Sequence, residues 1–168
     1  ELDALMLERP DDLNLLSRLG EFDAALAESR WRERMALDPN VANTLGLAEQ
    51  LERLGRREEA EALTWDVFVR NPADSGPRYR LLAGASLPMA ERMLAHLDSL
   101  PTPPSDLDET LGDLGDLFWE NGQRDRAMAM WRRAQVLDPG DSEWTGNLTN
   151  IAAGKAPRAE QAADDWWR

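Results

Sequence analysis

The sequence predicts an all-α fold made of successive antiparallel helix pairs, and three observations predict it. The first is Leu114-Gly115-x-x-Phe118-x-x-x-Gly122-x-x-x-x-Ala127-x-x-x-Trp131-x-x-Ala134-x-x-x-x-Pro139, two apolar runs at helical spacing separated by a glycine and ended by a proline. The second is its recurrence earlier in the chain, with every interval kept, as Leu47-Ala48-x-x-Leu51-x-x-x-Gly55-x-x-x-x-Ala60-x-x-x-Thr64-x-x-Val67-x-x-x-x-Pro72. The third is the match of Leu37-Asp38-Pro39-Asn40 to Leu137-Asp138-Pro139-Gly140. With Trp31 and Trp65 also one repeat length apart, a single register accounts for all of these spacings.

In chain order, Glu1 to Glu8 carries Leu2, Leu5 and Met6 on one helical face and runs into Arg9-Pro10, which reads as the end of a preceding repeat or as a short N-terminal helix. The first repeat spans about 11–40, where Ala27, Trp31 and Pro39 hold the second-helix register. Leu19-Gly20 stands only seven residues before Ala27, too close for a full first helix and turn. The second repeat is 41–74. The third, 75–107, is degenerate: Leu81-Leu82 and Ala90, Leu94, Leu97 predict a shortened pair, with a bend or loop at 100–106 around Pro101-Thr102-Pro103-Pro104. The fourth is 108–141, and 142–154 opens another. Residues 157–168 predict a capping helix whose Trp166-Trp167 covers the apolar edge of the last repeat.

Within a pair, the small residues Gly115, Ala127 and Ala134, or Ala48 and Ala60, let the helices approach, and Phe118 and Trp131 fill the volume between them. Gly55 and Gly122 suit left-handed caps. Asp74 and Asp141, just after Pro72 and Pro139, are placed to cap the helices that follow. Trp31, Trp65 and Trp131 occupy nearly the same place in their second helices and are expected in the core.

On these residues the chain resembles the tetratricopeptide repeat family, with the pattern complete over 108–141 and 41–74 and confined to the second helix over 22–40. The resemblance implies one domain over 1–168, a right-handed superhelical solenoid of antiparallel helix pairs. It also implies a concave wall, lined by the first helices, that binds an extended peptide or a partner helix.

Composition narrows the function. Hydrophobic content of 42% with seven Trp argues for a folded chain, and no apolar run approaches the roughly 18 residues that span a membrane. No Cys and a single His, His96, remove thiolate chemistry and histidine-based metal sites, so no cofactor and no metal are expected. No catalytic motif occurs, and the chain is read as not an enzyme. A net charge of −13 disfavours nucleic acid and anionic membrane and favours a basic protein partner. The 18 Arg against one Lys, Lys155, point to a GC-rich bacterial source. Cysteine absence fits cytoplasm and periplasm alike, and the start at Glu1 is expected to carry no signal peptide.

The candidate site is an acidic groove. Glu109, Gly112, Asp113, Asp116, Trp119 and Glu120 fall on one face of the first helix of 108–141, away from Leu114 and Phe118, and seven acids with no Lys or Arg lie between Arg92 and Arg124. In the equivalent stripes, Asn147 and Asn150 are suited to hold a ligand's main chain, since an amide both donates and accepts, and Glu49 adds charge. The family's carboxylate-gripping members use Lys and Arg in this groove; carboxylates here imply a partner bearing Arg or Lys. The expected function is a non-enzymatic scaffold or adaptor holding a basic peptide or helix, with Trp119 as apolar anchor. The alternative is a structural subunit of a larger assembly, packed through its convex face or ends, and self-association is compatible with either.

Overall fold

The structure, a computed structural model, describes Arg9, residues 12–83 and residues 85–157. The expected N-terminal helix of 1–8 and the capping helix with Trp166-Trp167 lie outside the described residues. Among those described, regular secondary structure is α-helical throughout. The chain divides into two compact units, Glu1–Leu81 and Leu82–Arg168.

The first unit contains α1 (Leu13–Phe22), α2 (Ala24–Leu37), α3 (Val41–Arg53), α4 (Arg57–Arg70) and α5 (Ser75–Leu82), at whose last residue the second unit begins. The short interval before Ala27 proves sufficient for a helix pair, because one residue serves two helix ends. The Asp23 N–H donates to the Leu19 carbonyl at 2.8 Å, closing α1, while its carboxylate accepts from the Leu26 N–H at 3.0 Å, opening α2. Asp12 caps α1 and Asn40 caps α3 in the same way. Leu16, Leu19, Ala27, Trp31, Leu47, Ala48, Leu51 and Ala60 form the core of α1 to α4.

The turn between α3 and α4 shows why glycine stands there. Gly55 has φ +76°, the Gly55 N–H donates to Glu52 and the Arg56 N–H reaches back to the Leu51 carbonyl at 2.8 Å. This pair of bonds is the left-handed closure that satisfies carbonyls at the helix end. Nothing lies within 4 Å of where a Cβ would stand, so it is the backbone angle, and not crowding, that selects glycine.

Trp65 departs from expectation. It is half-buried, whereas Thr64, one residue before it, is buried and donates its hydroxyl to the Ala60 carbonyl at 2.8 Å. One residue turns a helix by roughly 100°, which takes Trp65 off the inward line on which Trp31 and Trp131 lie. Its ring packs instead on buried Phe68, at a centroid distance of 5.6 Å.

The second unit contains α6 (Leu87–Ser99), α7 (Leu107–Glu120), α8 (Arg124–Leu137) and α9 (Ser142–Ala152). The segment read as a degenerate repeat holds the eight-residue α5, the 13-residue α6 and the non-helical stretch 100–106 with its three prolines. The turn after α7 repeats the closure after α3: Gly122 has φ +75° and the Gln123 N–H donates to the Phe118 carbonyl at 2.8 Å. Helix α8 packs along α7, burying Leu111, Leu114 and Phe118 against Ala127, Trp131 and Ala134. The predicted caps form: Asp141 accepts from the Glu143 N–H at 2.6 Å and Asp74 from the Gly76 N–H at 3.0 Å.

Candidate interaction site

Helix α7 positions most of the acidic stripe. Its first turn carries Asp108 and Glu109, where carboxylates offset the positive end of the helix dipole, and this favours an acidic sequence locally. Glu109 and Glu120 are exposed, and Asp113, Asp116 and Trp119 are half-buried. Gly112, read from the sequence as part of the open face, is buried. The Trp144 indole of α9 lies against it, and a Cβ at this position would collide with the ring.

Asp116 is the centre of a polar cluster joining three helices. Its Oδ1 accepts from Trp131 Nε1 of α8 at 2.9 Å and faces Asn147 Nδ2 of α9 at 3.5 Å. Burial pushes its pKa up, the Trp131 N–H opposes this by stabilising the ionised form, and Glu143, Asp113 and Glu120 push it up further. The result is about 7 against an ordinary 3.8. These influences place Asp113 and Glu120 of α7 and Glu143 of α9 within electrostatic reach of Asp116.

Two predicted contact residues are therefore committed internally. Asn147 is 1% exposed, and its amide is turned to Asp116 and not outward to a ligand backbone. Trp119 rests against Trp131 at a centroid distance of 5.6 Å, with the Arg124 guanidinium 5.1 Å from its ring, so only part of the indole is open as an anchor. Asn150 is half-buried near the end of α9. Glu49 belongs to the first unit, where Arg53 holds its carboxylate at 2.8 Å.

Sequence reasoning missed Gly112 and Trp144 as a packing pair. The available signal was the pair of glycines three apart in one helix, Gly112 and Gly115. Each accepts an indole, since a Cβ at Gly115 would stand 2.5 Å from Trp131 Nε1.

A second feature lies on the same helices. A cleft of about 380 Å³ opens between the start of α7 and the end of α8, lined by Leu107, Leu111, Arg132, Arg133, Val136 and Leu137. The corresponding cleft of α3 and α4, about 270 Å³, is lined by Pro39, Asn40, Val41, Thr44, Val67, Arg70 and Asn71. Among the described residues no helix is long and apolar enough to cross a membrane.

Compared with known proteins, the sequence matches no family model and no curated relative.

Proposed function

We propose that this chain is a non-enzymatic, helical-repeat scaffold of tetratricopeptide type, a right-handed solenoid whose acidic wall on α7 and α9 holds a basic peptide or helix of a partner protein. The convergence of Asp113, Asp116, Glu120 and Glu143 carries the reading. Asp113, Glu120 and Glu143 each disfavour the ionised form of Asp116, and a bound Arg or Lys relieves that repulsion. Glu109, Asp113 and Glu120 supply the outward charge, Asn150 and the open edge of Trp119 supply contacts, and Asp116 with Asn147 fixes the wall from beneath. In the first unit, Glu49 plays the corresponding part on α3.

Isothermal titration of the full chain with an arginine-rich peptide and with its glutamate-substituted counterpart tests this. Binding is expected for the basic peptide alone and weakens with salt, because exposed charges are screened beyond about 10 Å at 0.1 M. The double variant Asp113→Lys, Glu120→Lys abolishes it with helicity intact. Equal binding of both peptides, or no change in the variant, overturns the reading.

A further inference from the structure

The two units fill the same register positions differently. Glu49 and Arg53 of α3 correspond to Asp116 and Glu120 of α7, and Glu52 corresponds to Trp119. On α3 the arginine stands one turn after the acid and pairs with it at 2.8 Å, while Glu52 is held by Arg80 at 2.6 Å. On α7 a second carboxylate replaces that arginine, and among the described residues no ion pair engages Glu120. Helix α3 thus supplies its own base, whereas α7 offers an exposed acid beside an indole.

Arg124 shows what suits that indole. It is the exposed first residue of α8, its guanidinium lies over the Trp119 ring at 5.1 Å, and no ion pair among the described residues engages it. Its charge also opposes the positive end of the α8 dipole. Arg126, by contrast, sits 4.1 Å from the Phe118 ring and is tied down by Glu91 and Gln123 at 2.7 Å each. The ring alone therefore holds the Arg124 side chain, and it is readily exchanged.

We infer that the partner segment presents an arginine, whose guanidinium displaces Arg124 from the Trp119 indole and pairs with Glu120, and that Arg124 occupies this seat until the partner arrives. The inference rests on the acidic-wall reading above and adds which side chain is recognised. A guanidinium is planar and weakly hydrated, so it stacks on an indole while its edge N–H groups donate to a carboxylate. An ammonium is a compact, strongly hydrated charge and gains less from the ring. Arg53 on Glu49 and Arg124 on Trp119 show the two halves of this recognition separately within the chain. A partner's arginine makes both contacts at once.

Titration of the full chain with two peptides, identical except that lysine replaces arginine in the second, tests this. The arginine peptide is expected to bind about three- to tenfold more tightly, the margin of a cation–π contact. As it binds, the Arg124 side-chain Nε–H resonance, displaced by the indole ring current in the free chain, moves to the position of a solvated arginine. Arg124→Lys keeps the net charge but weakens the internal occupant, so it tightens the arginine peptide. Trp119→Leu brings both peptides to the lysine affinity. Because Trp119 also packs on Trp131, the exposed Arg124→Lys variant keeps the test readable if the leucine variant loosens α7. Equal affinity of the two peptides for the unmodified chain overturns the inference and leaves the acidic wall standing. So does an Arg124 resonance unmoved by the bound arginine peptide, or an Arg124→Lys variant that binds it no more tightly. Failure of both peptides to bind overturns the wall as well.

Discussion

The helix pairs α3/α4 and α7/α8 share one spacing template, yet the indoles seated on their first helices are used differently. Trp31 lies on Gly46 of α3, where a Cβ would stand 2.5 Å from the ring, and its indole N–H has no partner among the described residues. Trp131 lies on Gly115 of α7 and donates to Asp116 at 2.9 Å. The glycine seat for an indole is the same; what the neighbouring residue adds is not. A residue that only has to fill volume tolerates many neighbours, whereas one that donates to a half-buried carboxylate ties the packing to a protonation state.

The charged surfaces diverge too. In the first unit, Glu28 accepts from Arg56 at 2.7 Å and from Arg32 at 2.8 Å, and Arg56 also grips Glu59. Burial works to raise the Glu28 pKa, but these two arginines outweigh it and hold the group below its ordinary value. In the second unit the balance tips the other way, because burial, the largest influence on Asp116, is opposed only by the Trp131 N–H and is reinforced by neighbouring carboxylates.

The largest expected effect follows from that contrast. The pKa of Asp116 is about 7 folded and near 3.8 unfolded, so the folded unit holds a proton that the unfolded chain releases. Its contribution is full below pH 3.8 and disappears as pH rises through about 7. Asp116→Asn retains the acceptor for Trp131 and removes the charge. It is expected to raise the stability of the second unit by roughly 2–4 kcal/mol at pH 8 and little at pH 4. Hydrogen exchange of the Leu114 and Phe118 amides across pH reads this directly; an unchanged profile would break the contrast.

Next in size is the difference between the two indoles. Trp131→Phe and Trp31→Phe remove similar volume, but only the first strips a donor from a half-buried carboxylate. At pH 8 it is expected to cost about 1–2 kcal/mol more than the second in denaturant unfolding. Equal costs would mean that the Asp116 bond contributes nothing.

The smallest effect is on the acid side. Glu28, held ionised by Arg32 and Arg56, contributes stability above its unfolded pKa that is lost as pH falls through its lower folded value. Glu28→Gln is therefore expected to flatten the acid limb of the first unit slightly, followed by exchange of the Leu47 and Leu51 amides, and to leave α7 untouched. The exposure of the arginines keeps this change small.

Much of the architecture was legible because it rests on local rules. Gly55 and Gly122 close helices with positive φ where the spacing placed them, and Asp74 and Asp141 cap the next helices. The segment 100–106 is non-helical where three prolines required it. The candidate site was less legible. A helical wheel assigns Gly112, Asp113 and Asp116 to one outward face, but it does not know that α9 lies over part of that face. Asn147 looked like an outward amide for the same reason. Trp65 misled because a repeat-length spacing tolerates an offset of a single position, which packing does not.

By itself the amino-acid order determined where helices start, turn and stop, the absence of thiol chemistry and the concentration of negative charge between Arg92 and Arg124, since caps, φ angles and charge depend on neighbours in the chain. Only the tertiary structure decided which acids face water and which are enclosed, that Asp116 meets Trp131 and Asn147, and that one cleft is lined with leucine. Burial and partner choice depend on residues 15 to 31 positions away, and no local pattern encodes that distance.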